Sequence, residues 1–427
     1  MTGWNDGVAM MARDDGAEGA GLSTGAVFAE LAGQDAVVGQ LQAAASAAAA
    51  AVAGRARRPA AQAPAGAGTT LAMTHAWLFT GPPGSGRSVA ARAFAAALLC
   101  DRQGCCECSS CHQVAGGTHA DLLPVRPDGL SYGVKQTRNL VLRAAAAPSG
   151  GRWQVVLFED ADRATEQAAN ALLKAIEEPA PRTVWLLCAP SAEELVTTIR
   201  SRCRLVVLRT PPSAAVAEVL VSRDGVDPAS ALAAARAAQG HIGRARRLAT
   251  DPEAARRRQD VLTVPSRVTS LGPALAAAAA LVKAAEQEAT AATEELDMPE
   301  REALRQAFGE GSTGKGVAKA VRGAAGALKD LEDRQKSRAT RLKRDALDRA
   351  LLDLAAFYRD MLTVQLGADV ELASAGYEAE LRRLAAASAP ESTVRRIRAI
   401  MACRERLAVS VAPLLAVEEM TLSLLAG

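Results

Sequence analysis

The sequence contains very few aromatic residues, and it lacks a marked excess of charge of either sign. Phe, Trp and Tyr together make up 3% of the 427 residues, whereas apolar residues, many of them alanine, make up 49%. This composition favours helices packed through small side chains over an aromatic-rich β-sandwich. The formal net charge is +3, so any contact with nucleic acid would come from local patches or from partner proteins.

Long hydrophobic runs and targeting signals are also missing. Apart from Ala-rich stretches too weakly hydrophobic to cross a bilayer, no run of roughly 18 apolar residues is free of charges, Gly and Pro. Residues 1–23 are rich in Gly and Asp and lack a basic segment followed by an apolar one. We therefore expect a disordered leader at 1–23, a cytoplasmic protein and no membrane partner.

Cysteines are few, but five of the eight lie between Cys100 and Cys111. In a reducing cytosol such a cluster argues for a metal and against a disulfide framework. Cys105 and Cys108 are two residues apart, as are Cys108 and Cys111, and with Cys100 they offer four thiolates. This set can close a tetrahedral Zn²⁺ site of the structural kind.

Other residues near the cluster are weaker candidates for metal ligands. Cys106 is a spare thiol that could replace a neighbour only with strain. His112 and His119 are nearby alternatives that we expect to lie on the surface. A redox role is disfavoured, because no thioredoxin-like pattern surrounds the cluster.

Short apolar runs alternate with helical patterns in the middle of the chain. The runs are AWLFT (76–80), WQVVLFED (153–160), VWLLCA (184–189) and LVVL (205–208). Strand–helix alternation of this kind implies a parallel α/β sheet. Helical patterning precedes it from Val27 to about Ala53, and residues 54–70 form a predicted Pro/Gly/Ala linker.

Strand signals stop after Pro212, and the rest of the chain is predicted to be helical. An apolar stripe at three- and four-residue spacing comprises Leu347, Leu351, Leu354, Tyr358 and Met361. The densely charged segment 329–349 is interpreted as a solvated helix face, in preference to a DNA-binding patch.

A glycine-rich segment follows the first predicted strand and opens a helix. It reads GPPGSGRS from Gly81 to Ser88 and matches G-x-x-x-x-G-K-[ST] except that Arg87 replaces lysine. Gly81, Gly84 and Gly86 would let backbone N–H groups point at phosphate, and the helix adds its positive end. An ordinary strand–helix turn is the lesser interpretation. Because a guanidinium is larger than an ammonium group, nucleotide binding stays open while hydrolysis is not expected.

Two acids, Glu159 and Asp160, end the second predicted strand. In ATPases, two acids follow a strand at this position: the first binds Mg²⁺ and the second orients the attacking water. Active enzymes have Asp before Glu, and the order here is reversed, which would displace the second carboxylate by about one methylene. Acids that merely cap a strand end are an equal alternative.

Three longer motifs carry a resemblance to a known family. EDAD at 159–162, AANALLKAIEEP at 168–179 and IRSRC at 199–203 resemble the AAA+ subunits of bacterial DNA polymerase III clamp loaders. Segments 27–40 and 411–419 extend the resemblance over most of the chain, with a weak region at about 255–340.

The resemblance implies a RecA-like AAA+ domain at 24–209 with a zinc module at about 100–111. A small helical lid at 210–255 and an all-α collar at 256–427 would follow. The partners it implies are gamma/tau and delta subunits in a hetero-pentameric ring, which acts on the sliding clamp and primer–template DNA. The family's zinc module has a longer first cysteine gap than the one after Cys100.

The resemblance also assigns a role to Arg202, the arginine of the S-R-C motif. It would reach in trans into the ATP site of a neighbouring gamma/tau subunit and stabilise charge on the transferred phosphoryl group. The competing interpretation is that Arg202 caps the end of a helix over 191–200.

Departures from the ATPase pattern separate two branches of the family. Arg87 and the inverted Glu159–Asp160 pair are two of them. The strand 185–190 lacks a polar sensor residue, and Gly243 stands where active subunits have a sensor arginine. These changes favour the non-catalytic delta-prime type, a stator without independent catalysis inside a nucleotidyltransferase holoenzyme. An active gamma/tau-type ATPase is the alternative, and a zinc-bearing adaptor outside replication is a weaker third.

Overall fold

A computed structural model describes residues 25–56, 73–127, 131–150, 152–308, 317–409 and 411–427. The predicted leader at 1–23 and most of the predicted linker at 54–70 lie outside the described residues.

One parallel sheet forms the centre of the first half of the chain. Its strands are β1 (Ala76–Thr80), β2 (Leu122–Val125), β3 (Gln154–Phe158), β4 (Thr183–Ala189) and β5 (Arg204–Val207). Their order across the sheet is β2-β3-β4-β1-β5. Every residue of β1, β3 and β4 is buried, as expected for parallel strands covered on both faces.

All four predicted strands are confirmed. The structure also contains β2, which was not predicted. This strand contains Pro124 and lies at the sheet edge, where a missing backbone N–H is tolerated. Its short run of apolar residues, interrupted by proline, gave no strand signal.

Helices cover both faces of the sheet. They are α1 (Asp35–Ala56), α2 (Arg87–Leu99), α3 (Ser109–Gly116), α4 (Val134–Ala144), α5 (Glu166–Glu177) and α6 (Thr197–Arg200). Trp77 and Phe79 of β1 pack in one core with α1 and α2. Leu78, between them, packs on the opposite face with residues of α4 and α5, because successive strand side chains point to opposite faces.

The Ala-rich helix α1 is a core helix. By length and composition alone, Asp35–Gly54 would suffice to cross a membrane. In the structure, Leu41, Ala44 and Ala48 of this helix are buried in the same core as β1 and α2. A core helix meets the same length and composition criterion, so the match is weak evidence for a membrane span.

Three short helices follow the sheet: α7 (Ser213–Asp224), α8 (Pro228–Ala238) and α9 (Ile242–Thr250). They enclose a separate small core, formed largely by alanines of α8 together with Val216 and Leu220. This three-helix unit is the predicted lid.

The remaining helices build the C-terminal core. They are α10 (Pro252–Leu262), α11 (Val264–Arg267), α12 (Leu271–Phe308), α13 (Val317–Leu366), α14 (Glu378–Ala386), α15 (Pro390–Ala408) and α16 (Pro413–Ala426). The apolar stripe of α13 predicted from its spacing is buried in this core. The fold class, a parallel α/β domain followed by a helical lid and an all-α collar, is therefore confirmed. The domain limits at residues 209 and 255 stay predictions, and α10 runs across the second.

The charged segment 329–349 differs from the expected solvated face. It lies on α13, which runs antiparallel to α12, and its side chains pair across the hairpin. Arg338 contacts Asp297 at 2.7 Å, and Arg341 donates to the carbonyl of Pro127 in the sheet domain at 2.8 Å. Mixed charge on this segment therefore serves helix–helix and interdomain contacts.

A buried carboxylate fastens the lid to the collar. Asp353 of α13 is 6% exposed and forms ion pairs with Arg244 of α9 and, at 3.0 Å, with Arg258 of α10. Arg258 also donates to the carbonyl of Ala373 at 3.1 Å. The carboxylate of Asp353 thus binds one guanidinium from the lid, that of Arg244, and one from α10, that of Arg258.

We expect the substitution Asp353→Ala to cost about 3 kcal/mol of unfolding free energy, because it leaves two guanidiniums in a buried site without their counter-charge. Urea denaturation of the full chain measures this loss. Asp348→Ala is the matched control: Asp348, like Asp353, lies on α13, and it pairs with Arg404 of α15 but is 43% exposed, so we expect a loss under about 1 kcal/mol. Equal losses in the two variants would show that Asp353 has no special role at the junction.

Candidate functional site

The glycine-rich segment forms a tight loop between β1 and α2. Gly84 and Gly86 have φ angles of 91° and 88°, a left-handed conformation that glycine adopts without strain. Gly86 is the N-cap of α2, and Arg87 and Ser88 begin the helix. The loop therefore places its backbone at the positive end of a helix, which is a general anion-binding arrangement.

The lid lies directly on this loop. A Cβ atom added at Gly84 would be 2.6 Å from Cβ of His241, so only glycine permits this approach. The pKa of His241 is lowered, because burial and the nearby guanidiniums of Arg244, Arg349 and Arg87 all disfavour a charged imidazole.

Glu159, the first of the two predicted acids, is held by two arginines. Its carboxylate accepts hydrogen bonds from Arg126 Nε at 3.1 Å and Arg126 Nη2 at 3.0 Å, and from Arg92 Nη2 at 3.2 Å. Ser88 Oγ donates to it at 3.3 Å. The residue is only 8% exposed. The acid that would serve a metal ion is therefore already neutralised by the protein's own side chains.

Arg126 and Arg92 were not predicted to be part of the site. Arg126 follows β2, the strand that gave no sequence signal, and Arg92 lies inside the helix after the loop. Arg92 is one helical turn beyond Ser88, a spacing that places both on the same face of α2. That spacing could have suggested Arg92, whereas no signal in the sequence pointed to Arg126.

The chain turns sharply after Glu159. Asp160 has a φ of 50° and precedes a 3-10 turn at Ala161–Arg163. The buried hydroxyl of Tyr132 donates to the carbonyl of Glu159 and to that of Val125 at 3.0 Å. Its ring stacks on Phe158 with centroids 4.2 Å apart. These contacts fix the backbone at the two acids.

Several buried polar atoms around the loop have no hydrogen-bond partner. Among the described residues they include Arg87 Nη1, Ser85 Oγ and Asp162 Oδ1. Burial raises the pKa of Asp162, although Arg163 and Arg87 oppose that shift. Unpartnered buried polar atoms indicate a missing ligand or strain, and the two groups on the loop itself can bind an anion.

Magnesium ion does not fit the residues that would hold it. It would require Ser88 Oγ and the carboxylate of Glu159, but Ser88 Oγ donates to that carboxylate, which also accepts from Arg126 and Arg92. The loop fits a phosphate group, whereas the acidic side of the site does not fit a divalent cation.

The residues at the two predicted sensor positions are engaged elsewhere or buried. Cys188 of β4 is fully buried, and burial raises its pKa well above the ordinary thiol range. Arg244, adjacent to Gly243, is directed at Asp353 of α13. Its guanidinium is therefore engaged at the lid–collar junction.

Arg202 lies on the surface just after α6. Its Nη1 donates to the carbonyl of Thr198 at 2.7 Å, and its Nη2 is 2.5 Å from Glu177 at the end of α5. The contact with Thr198 is the helix-capping contact of the competing interpretation. The Arg202 side chain is nevertheless 38% exposed, so the guanidinium faces solvent while it caps the helix.

The four predicted cysteine ligands come together. The Sγ atoms of Cys100, Cys105, Cys108 and Cys111 all lie within 4.8 Å of one another. Cys100 follows α2, and Cys108 is the N-cap of α3, where its sulfur accepts from the N–H of Cys111 at 3.4 Å. Burial raises the pKa of Cys105, but hydrogen bonds from backbone N–H groups and neighbouring thiols outweigh it and lower the pKa to about 6.

The alternative ligands stay outside this cluster. Cys106 has a φ of 65° and is not part of the group. His119 is engaged with Ser110 Oγ at 3.0 Å and with the N–H of Asp121 at 3.1 Å. Four sulfurs at this spacing match the donor set of a closed tetrahedral zinc site, in which every position is a protein ligand.

Comparisons with known proteins agree with the motifs. Residues 67–212 match the family model described as "DNA polymerase III, delta subunit". DNA polymerase III subunit delta' of Pseudomonas aeruginosa is 40% identical over 165 residues, which are 37% of this chain and 50% of the relative. The Escherichia coli delta' subunit is 34% identical over 182 residues, covering 40% of this chain and 53% of the relative.

The ATPase branch is similar over a shorter stretch. DNA polymerase III subunit gamma/tau of Mycobacterium bovis is 37% identical over 136 residues, which are 30% of this chain and 23% of the relative. Among solved structures, a gamma subunit-related protein of Thermotoga maritima has a TM-score of 0.31 at 18% identity and covers 78% of this chain and 94% of that one. This structural likeness is too weak to support an argument.

The matched stretches span about half the length of the delta' relatives. The phosphate loop, the cysteine cluster and the S-R-C motif all lie within residues 67–212, the part matched by the family model. The comparisons confirm the resemblance that the sequence motifs carry, which is to bacterial DNA polymerase III clamp-loader subunits of the delta-prime type.

Proposed function

We propose that this protein is the stator subunit of a cytoplasmic clamp loader, without ATPase activity of its own, and that it supplies Arg202 to the ATP site of a neighbouring subunit. The observation that carries the proposal is the state of Glu159. Its carboxylate is taken up by Arg126 and Arg92, while Arg202 is exposed. The acid that would bind the chain's own metal ion is blocked, and a group suited to another subunit's site is exposed.

The alternative, an active gamma/tau-type ATPase, is disfavoured on chemical grounds. Hydrolysis needs a divalent cation on the phosphates and an acid that orients water. Glu159 is bound by guanidiniums, and Asp160 stands in a sharp turn that follows the strand. An active site would require Glu159 to be released from its arginines and the turn at Asp160 to be rearranged.

Arg202 is suited to act in trans. A guanidinium stabilises the charge that develops on a transferred phosphoryl group. The pair with Glu177 is partly exposed on both sides, at 38% and 42%, and such pairs contribute about 0–1 kcal/mol. Arg202 can therefore leave Glu177 for a phosphate at little cost.

The collar offers a surface for assembly with the proposed gamma/tau and delta partners. On α16, Val417 is buried in the collar core, while Leu414 and Leu415 are 41% and 63% exposed. Val409, just before this helix, is 61% exposed. Exposed large apolar residues that lie close together favour a protein interface. Contact with the sliding clamp and primer–template DNA would come through the assembled ring.

The substitution Arg202→Ala tests the role in trans. In a loader reconstituted with gamma/tau and delta subunits, we expect clamp- and DNA-stimulated ATP turnover to fall at least about fivefold, because one transition-state charge contact is lost. The measurement is phosphate release by the complex, with gel filtration to show that the ring still assembles.

Arg200→Ala is the matched control, since Arg200 lies two residues earlier at the end of α6 and should leave turnover unchanged. The isolated chain should show no ATP hydrolysis. Unchanged turnover in the Arg202 variant, together with hydrolysis by the isolated chain, would support the gamma/tau-type alternative.

The cysteine cluster is proposed to hold one structural Zn²⁺ through Cys100, Cys105, Cys108 and Cys111. The bound ion would fix the loop between α2 and α3, which carries three of the ligands close together in sequence. A closed four-thiolate site contributes folding energy and leaves no position for a reactive water.

We expect the purified chain to contain about one zinc per molecule and Cys111→Ser to lose most of it, because a closed site needs all four thiolates. Metal analysis by mass spectrometry measures the content, and the thermal midpoint should fall with the zinc. Cys106→Ser is the control and should retain the metal. Equal zinc loss in both variants, or none in either, would contradict the assignment.

A further inference from the structure

We propose that a small pocket between the lid and the collar binds a compact, multiply charged phosphate anion such as pyrophosphate. The pocket has a volume of about 260 Å³, and helices α9, α10, α12 and α13 form its walls. No residue of the phosphate loop at 81–88 lines it. Binding there does not depend on the role of Arg202 in a neighbouring site.

Positive charge dominates the lining of this pocket. Five guanidiniums line it together with two carboxylates, those of Glu288 and Asp353. The guanidiniums come from three helices: Arg244 and Arg247 of α9, Arg257 and Arg258 of α10, and Arg349 of α13. Asp251, the N-cap of α10, lies outside the lining and 3.5 and 3.6 Å from Arg247 and Arg257. Even with this third carboxylate, guanidiniums are in excess, so the pocket favours an anion.

Three of the guanidiniums converge on the single carboxylate of Glu288. Arg349 Nη2 donates to its Oε1 at 2.7 Å, and Arg247 Nη1 is 2.8 Å from the same oxygen. Arg257 Nε is 3.5 Å from Oε2. One negative charge does not neutralise three positive ones, and each guanidinium carries five N–H donors. These arginines can therefore bind an anion without releasing Glu288.

The pKa values in the pocket reflect the same imbalance of charge. Burial would raise the pKa of Glu288, but the three arginines outweigh it and lower this pKa. Burial lowers the pKa of Arg244, and the like charges of Arg258 and Arg349 lower it further, against the opposing effect of Asp353. A further negative charge in the pocket would relieve this repulsion.

The size of the pocket selects a small anion. One water molecule occupies about 30 Å³ of liquid, so a pocket of about 260 Å³ has room for one or two phosphate groups and excludes a nucleic-acid duplex. Guanidiniums bind phosphate oxygens through paired, charge-assisted hydrogen bonds. Phosphate groups therefore match both the volume and the donors of the pocket.

The pocket can be reached from solvent. The Arg244 and Arg258 side chains are nearly buried, whereas those of Arg247, Arg257 and Arg349 are partly exposed. Arg247 and Arg257 also line the larger cavity of about 2940 Å³ beside the lid. An anion entering from this cavity would meet these two guanidiniums first.

Isothermal titration of the full chain with sodium pyrophosphate tests the proposal, in EDTA and at constant ionic strength. We expect one site with a dissociation constant below about 1 mM. The thermal midpoint should rise as the site fills, because the anion binds the folded chain. No heat of binding and no change in the midpoint at about 10 mM pyrophosphate would overturn the proposal.

Adjacent arginines of α10 provide a variant and its control. Arg257→Ala should weaken pyrophosphate binding at least about tenfold, because it removes a guanidinium from the lining. Arg256→Ala should bind like the unaltered chain, since Arg256 is 68% exposed, pairs with Glu253 and lies outside the lining. Equal weakening in both would show diffuse attraction of anions. Weakening by Arg87→Ala but not by Arg257→Ala would place the anion at the phosphate loop. Either result would overturn the proposed site.

Glu288→Gln separates ligand binding from a structural role. Glutamine keeps the size of the side chain and an oxygen that can accept from Arg349, but it removes the charge that competes with an anion. We therefore expect pyrophosphate to bind at least about threefold more tightly. A network that only holds the helices together would give lower stability and no gain in affinity. Thermal melting checks that the variant folds, and unchanged or weaker binding by the folded variant would contradict the proposal.

Discussion

The contact between Glu159 and its two arginines is the constraint on which the chemistry of this protein depends. In a cation-dependent loop the acid at this position must stay free, because the metal ion bridges it to the phosphates. Here Arg126 from the end of β2 and Arg92 from α2 close that position from two sides. The sheet is a parallel α/β sheet of the AAA+ kind, while guanidinium groups of the chain itself bind the acid that a metal ion would otherwise bind.

A second set of contacts makes the lid part of the same body. His241 packs on the phosphate loop, and Arg244, three residues later, pairs with buried Asp353 of the collar. One short helix, α9, is thereby fixed at the loop and at α13. Breaking a buried ion pair leaves an uncompensated charge, so opening of the lid is opposed. This arrangement favours a protein whose domains hold a constant relation to one another.

Sequence patterns predicted what depends on local periodicity and on spacing. Hydrophobic runs identified β1, β3, β4 and β5, and cysteine spacing identified four sulfurs that do converge. They did not predict β2, because Pro124 interrupts its short apolar run, and Arg126 was missed along with that strand. Nor did they predict that the charges of segment 329–349 pair with α12, since partner choice between distant helices depends on tertiary packing.

Two arginines of this molecule differ in the carboxylate that each one binds. The side chain of Glu159 is 11% exposed and that of Glu177 is 42% exposed, whereas the Arg126 and Arg202 side chains are 53% and 38% exposed. Arg126 binds the nearly buried Glu159 through two hydrogen bonds, and releasing it would strand a carboxylate in a poorly solvated position. Arg202 shares a partly exposed pair with Glu177, where water can solvate both groups after separation. The first arginine is therefore committed to its own chain, whereas the second can exchange its partner, as its proposed role in a neighbouring subunit requires.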